Sequence, residues 1–286
     1  MLFVRAKHSL SGGDMLYLKT GAKGPKVATI QILLNQFTLK VNIPVDGEFG
    51  PKTRDAVEQF QRSLTPPLKV DGIFGSDSWA AMRRLSGDSI VNLVDSVDAA
   101  GSADAISRLQ FAGSSVFDAW SNIVVVMQRK ETLADAARRI IASVKPGSIA
   151  LLRFFGHGDA GDQGISAGKA ASTADTAIIH SNVVKPRYRQ LLYPIRMYMC
   201  PYGSAELHGC NIGRGHKGTL LLQQLADLWG VPVSGGIPYQ YDAGSNRAVF
   251  CFEGNVKTLY PHGLCLKAWA KKQQAVLEGF KARNAA

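Results

Sequence analysis

The sequence predicts an α/β protein: a small three-helix bundle at the N-terminus, then a mainly parallel sheet covered by helices. Three observations predict it. Val45-Asp46-Gly47-Glu48-Phe49-Gly50 recurs as Val70-Asp71-Gly72-Ile73-Phe74-Gly75, and each copy leads into a helical pattern. Further on, short apolar runs alternate with amphipathic stretches of helical period, as strands and crossover helices do in a parallel sheet. The chain has 286 residues and is 46% hydrophobic, enough for a core in one large or two ordinary domains.

Taken in order, a first helix is expected over about Val27 to Phe37, with Ile30, Leu33, Leu34 and Phe37 on one side. The second should open at Pro51 or Lys52, since proline suits a first turn. It carries the stripe Ala56, Val57 and Phe60. The third should open at Ser76 or Asp77, both good caps, and bury Trp79 and Met82. Each Asp-Gly pair is a turn signal, and Phe49 and Phe74 are expected to plug the core. Ser86-Gly87-Asp88-Ser89 closes this unit, dividing the chain into 1–86 and 87–286.

In the larger part, strands are expected at Ile90 to Val94, Ile123 to Met127 and Ile149 to Phe155. A helix is expected over Thr132 to Val144 and another over Thr219 to Trp229. Val231 to Ser234 and Ala248 to Phe252 read as short strands. Gly158 to Met199 is polar and rich in Ala, Ser and Thr, and reads as an irregular insertion over the active edge. From Lys267 onward the pattern is a basic amphipathic helix, more often packed on its own domain than on a membrane.

The formal net charge is +11. Residues 1–85 hold 12 Lys/Arg against 7 Asp/Glu and the remainder 21 against 15. The excess is therefore spread out, which argues for a solvated surface rather than a nucleic-acid site. No apolar run reaches the length of a membrane span. Met1 to Met15 lacks a continuous apolar segment, so no Sec signal peptide is expected. A protein made in the cytoplasm and exported to the envelope by a specialised route would fit. The cysteines at 200, 210, 251 and 265 lack the spacing of a disulfide scaffold, so reduced thiols are expected.

Two blocks carry the chemistry. Leu151-Leu152-Arg153-Phe154-Phe155-Gly156-His157-Gly158 and Ala205-Glu206-Leu207-His208-Gly209-Cys210 are mostly apolar runs, each ending in a reactive side chain. If they are neighbouring parallel strands, His157 and Cys210 emerge at one edge of the sheet, where pockets form in open α/β sheets. A thiolate attacks where a thiol does not, and a nearby imidazole can take and return the proton. The amides of Gly158 and Cys210 suit an oxyanion hole. His208 is an alternative base, and Glu206 could orient a histidine. The bland reading is that a cysteine and a histidine at strand ends are packing residues. The spacing of Cys200, His208, Cys210 and His216 fits no common zinc pattern. No metal and no cofactor are expected.

Gln31-Ile32-Leu33-Leu34, Asp46 to Gly50, Thr53, Ala56-Val57, Phe60-Gln61, Asp71 to Gly75 and Trp79 resemble the peptidoglycan-binding domain common in wall hydrolases. The resemblance covers about residues 20–85. It implies a three-helix fold that docks on the wall, with a ligand groove near the two turns involving Asp46, Gly47, Phe49 and Thr53. The chain departs from many members in its longer Thr65-Pro66-Pro67 link. The His157-Gly158 and Cys210 blocks resemble the caspase-like cysteine peptidases, in which one apolar strand ends in His-Gly and the next in the catalytic cysteine. That resemblance spans about residues 90–262, through two short blocks. Together these imply a cell-wall-targeted cysteine hydrolase cleaving amide bonds, an antibacterial effector or lytic protein. Its partners would be peptidoglycan, a peptide or protein substrate, secretion machinery and an immunity protein. The alternative is a catalytically silent peptidoglycan-binding protein.

Overall fold

The computed structural model describes residues 17–38, 41–97, 122–166, 173, 175–238, 240, 252 and 254–284. Three helices come first: α1 (Pro25–Phe37), α2 (Pro51–Ser63) and α3 (Ser76–Ser86). Proline opens the first two, where its missing N–H costs nothing. The third begins at Ser76, as expected, but its cap position is Gly75 and no side chain caps it. Phe49, Phe60 and Phe74 are buried, with Phe74 edge-on to Trp79. Gly87 ends α3 in the left-handed conformation, at φ 74°, the usual glycine stop. The chain then enters the sheet at once.

The main sheet comprises β1 (Ser89–Asp95), β2 (Asn122–Met127), β3 (Ile149–Phe155), β7 (Met199–Leu207), β8 (Val233–Gly236) and β9 (Val256–Leu259). Their order is β2-β1-β3-β7-β8-β9. All neighbours are parallel except β9, which runs antiparallel to β8 at one edge. The fold class is thus α/β with a mainly parallel mixed sheet.

One face of the sheet is covered by α4 (Leu133–Ala142) and α7 (Gly215–Trp229), with short helices α5 (His180–Val183) and α6 (Pro186–Leu192) and a 3-10 turn at Tyr193–Tyr198. Val91, Leu93, Leu152, Phe154, Ala205, Leu207 and Val233 point into this layer. Thr132 caps α4 through a reciprocal bond with Asp135, a capping box. The opposite face is covered by the N-terminal helices themselves. Ile90, Val94, Leu151, Phe155 and Tyr202 share one apolar cluster with Leu33, Phe60, Phe74, Trp79 and Met82. The alternation along each strand sends successive residues to the two layers.

The C-terminal helix α8 (Leu266–Asn284) closes this second layer. Trp269 and Ala270 are buried against Ala28 of α1. Packing on its own domain is the expectation; the helix packs on β7 but also on α1, which belongs to residues 1–86.

Several expectations need correction. Among its described residues the insertion after Gly158 is not irregular. It holds a small antiparallel sheet of β4 (Gly158–Asp159), β5 (Asp162–Gly164) and β6 (Ala177–Ile179), then α5 and α6. α7 starts at Gly215, not Thr219, and β8 lies at Val233–Gly236, two residues late. The strand expected over Ala248 to Phe252 falls, through Cys251, outside the described residues. Val256–Leu259 was not foreseen.

Candidate functional site

The register places the two reactive blocks side by side. β3 and β7 are hydrogen-bonded parallel neighbours, with Phe154 opposite Leu207. His157 and Cys210 each lie three residues beyond that pair, so both leave the sheet at its carboxyl edge. The backbones touch there. A Cβ added to Gly158 would lie 2.9 Å from Gly209 Cα and 2.4 Å from Ile212 Cδ1, and one added to Gly209 would lie 2.9 Å from Gly158 Cα. The two glycines are what let the loops meet, since any side chain would separate them.

The surrounding loops are tied down by backbone. The His157 carbonyl accepts from Gly164 N–H at 2.8 Å, and Asn211 N–H donates to Pro238 O at 3.0 Å. Gln163, wholly buried, accepts from Gly209 N–H at 2.9 Å and donates to Gly164 O at 2.9 Å. It thereby bolts the β4–β5 hairpin to the turn carrying Cys210. Gly158 stands opposite Gln163 in that hairpin. His157 and Cys210 are both half-buried. Cys210 Sγ lies 3.5 Å from Gln240 O.

His208 and Glu206 lie on the other face, toward the N-terminal helices. The His208 side chain is 5% exposed and stacks between Phe155 and Phe252, at centroid distances of 4.6 and 4.3 Å. Burial lowers the tendency of His208 to protonate, against the opposing pull of Glu206. Its Nε2 lies 3.1 Å from Glu206 Oε2, and a carboxylate there calls for the proton on Nε2. Glu206 also meets Lys26 of α1, Nζ to Oε1 at 2.6 Å. Burial alone would raise the Glu206 carboxyl, but the Lys26 charge, the His208 hydrogen bond and the Arg153 charge together hold it far below the usual carboxylate range. Lys26 and Arg153 were not singled out from sequence. A single charge inside the apolar run 149–155 was the available signal for Arg153.

The other cysteines differ from Cys210. Cys200, at the far end of β7, has Asp88 Oδ1 at 3.3 Å and Gly147 O at 3.1 Å as acceptors within reach of its one S–H. Burial and the neighbouring Asp88 push its thiol well up. Cys265 is exposed, and Cys251 lies outside the described residues. Among the described residues no three His, Cys, Asp or Glu side chains gather as metal ligands, and no helix is long and apolar enough to cross a membrane.

The residues expected at the wall-binding groove form a separate cluster around Gln31. Its Nε2, with two N–H donors, lies 2.9, 3.0 and 3.1 Å from Asp46 Oδ1, Glu48 O and Thr53 Oγ1, while its Oε1 accepts from Asp46 and Gly47 N–H. Phe49 is buried at 2% exposure. Gln61 repeats the arrangement in the second turn, with Asp71, Ile73 O, Ser78 and the Asp71 and Gly72 N–H groups. Gly47 and Gly72 adopt φ 73° and 67°, as this turn requires. The two glutamines had no assigned role in the sequence reading. Their recurrence on the helix preceding each turn, 15 and 10 residues before the aspartate, is the signal. Gln31→Leu should destabilise the chain by about 2 kcal/mol, because buried N–H and C=O groups lose their partner. A urea titration would show it, and an unchanged midpoint would mean that the turn holds itself.

The first turn is not bare. A Cβ on Gly47 would lie 2.7 Å from Leu266 Cδ1, and Lys267 Nζ lies 3.3 Å from Glu48. The start of α8 therefore sits over it.

Residues 23–82 match the family described as "Putative peptidoglycan binding domain". That match supports peptidoglycan binding by the N-terminal helices. No curated protein matches the chain.

Proposed function

We propose that a peptidoglycan-binding N-terminal unit carries here a cysteine hydrolase that cuts amide bonds at the wall. The observation behind this reading is the register of β3 against β7, which brings His157-Gly158 and Gly209-Cys210 to one edge with their glycines in contact. In the reaction, the Cys210 sulfur attacks the amide carbonyl carbon as its proton passes to His157. The tetrahedral oxyanion is held by the amides of Gly158 and Cys210. His157 returns the proton to the leaving amine, and the C–N bond breaks to leave a thioester. Water, deprotonated by His157, then releases the acid and the free thiol. Delivery to the envelope by a specialised export route, as an effector or lytic protein, belongs to the same reading.

Alkylation of each cysteine at neutral pH, read by mass spectrometry, tests it. Cys265 serves as the exposed reference and Cys200 as the buried one. Cys210 should react ~10-fold faster than Cys265, and His157→Ala should abolish that advantage, since reactivity follows thiolate character. If Cys210 reacts no faster than Cys265 in either protein, the hydrolase reading falls and peptidoglycan binding stands alone.

A further inference from the structure

A cleft of about 270 Å³ opens between the start of α1 and the sheet face beneath it. One wall is Lys23 to Lys26. The other is Glu206, Ser234 and Thr258, with Phe252 and Tyr260 completing it. We propose that this cleft is a carboxylate-binding site that receives the C-terminal end of a short peptide.

The floor is a built polar surface. Lys26 and Glu206 have side chains 14% and 4% exposed and stand 2.6 Å apart. The hydroxyls of Ser234 and Thr258 are 2.9 Å apart beside them. The balance of donors and acceptors gives the sign of the ligand. Glu206 spends one oxygen on Lys26 and the other on His208. Lys26 has three N–H donors, and Glu206 takes one. The hydroxyl pair can also donate. The first turn of α1 contains no acidic residue, and no side chain caps it, so its positive end adds to the lysine. An ammonium or a neutral group would find its best acceptor already bound. A carboxylate finds donors.

Leu18, Pro25, Phe252, Val256 and Tyr260 add apolar surface around the charged floor, with Lys23 and Asn255 beside them. That surface suits the side chain that precedes a terminal carboxylate. Free ends of this kind occur on wall peptides and on protein fragments alike. The site needs no reaction at Cys210, so it stands or falls separately from the hydrolase. It nevertheless lies beside that chemistry: Phe252 lines the cleft and stacks on His208, two residues before Cys210.

The test is calorimetric titration of full-length Cys210→Ala, which can bind but not cleave, with acetyl-alanyl-alanine and with its C-terminal amide. The acid should bind ~10-fold or more tightly than the amide, a full decade in Kd. Asn255→Trp, at the exposed rim, should remove acid binding while leaving the melting temperature in place. Lys26→Gln, which also breaks the pair with Glu206 and so weakens the fold, should lose acid binding at a temperature where it is folded. Equal binding of acid and amide overturns the proposal, as does no binding of either at millimolar concentration. Undiminished binding by Asn255→Trp also overturns it.

Discussion

Replacing Lys26 by methionine should destabilise the folded chain by about 3–5 kcal/mol at neutral pH, the cost of leaving one member of a buried pair alone. Glu206 is 4% exposed and is held ionised chiefly by that lysine, against burial. The sign with pH follows. The folded carboxyl titrates far below the unfolded one, which sits near ~4.3. Its contribution is therefore complete above that value and fades as pH falls toward the folded pKa. In Lys26→Met the carboxyl rises, and protonation relieves the stranded charge. The gap between variant and parent should then narrow below about pH 4. Urea midpoints at neutral and acid pH measure this. A gap that is small, or equal at both pH values, would mean that Arg153 alone suffices for Glu206. Adding Glu206→Gln to the Lys26→Met chain should recover much of the loss.

Gly218→Ala should cost about 2–4 kcal/mol, opposite to its effect on an isolated helix. Alanine is the better helix former by ~1 kcal/mol. Yet a Cβ at Gly218 would lie 2.4 Å from Ile212 O and 2.5 Å from Gly213 C. Both atoms are backbone of the loop that carries Cys210, so neither can rotate away. Either α7 or the loop must move. The prediction has two readouts, the urea midpoint and the alkylation rate of Cys210. A stabilised Gly218→Ala protein with unaltered Cys210 reactivity would show that helix and loop are not in the contact described.

The local signals in the sequence were the legible ones. The repeated Asp-Gly-x-Phe-Gly turns announce their own backbone, and Phe49 and Phe74 could be placed in the core from that pattern alone. The pairing of 149–155 with the run beginning at Ala205 was also legible as a condition, because apolar runs separated by a crossover tend to pair, but the strand's start at Met199 was not. β8 was misplaced for a physical reason. Its Gly235 and Gly236 are poor strand formers, kept because a Cβ would press on Ile212 and on the Gln240 side chain. β4 to β6 are two or three residues long, too short to show a period. The Lys26–Glu206 pair was invisible because nothing local links α1 to β7. The partners meet only once the first helices lie down on the sheet. For the same reason Gln31 reads as one more residue of a helix, while its contacts with Asp46, Gly47 and Glu48 of the turn exist only once the chain is folded.

The shared cluster of Leu33, Phe60, Trp79 and Met82 with Ile90, Leu151 and Tyr202 has a thermodynamic corollary. Two halves that bury one another's apolar faces cannot melt separately without exposing both. Any glycan or peptide captured by the helices would therefore raise the free energy of unfolding of the whole molecule by mass action. The sheet, and the loop ends at residues 157 and 210 with it, would be firmer on the wall than in free solution.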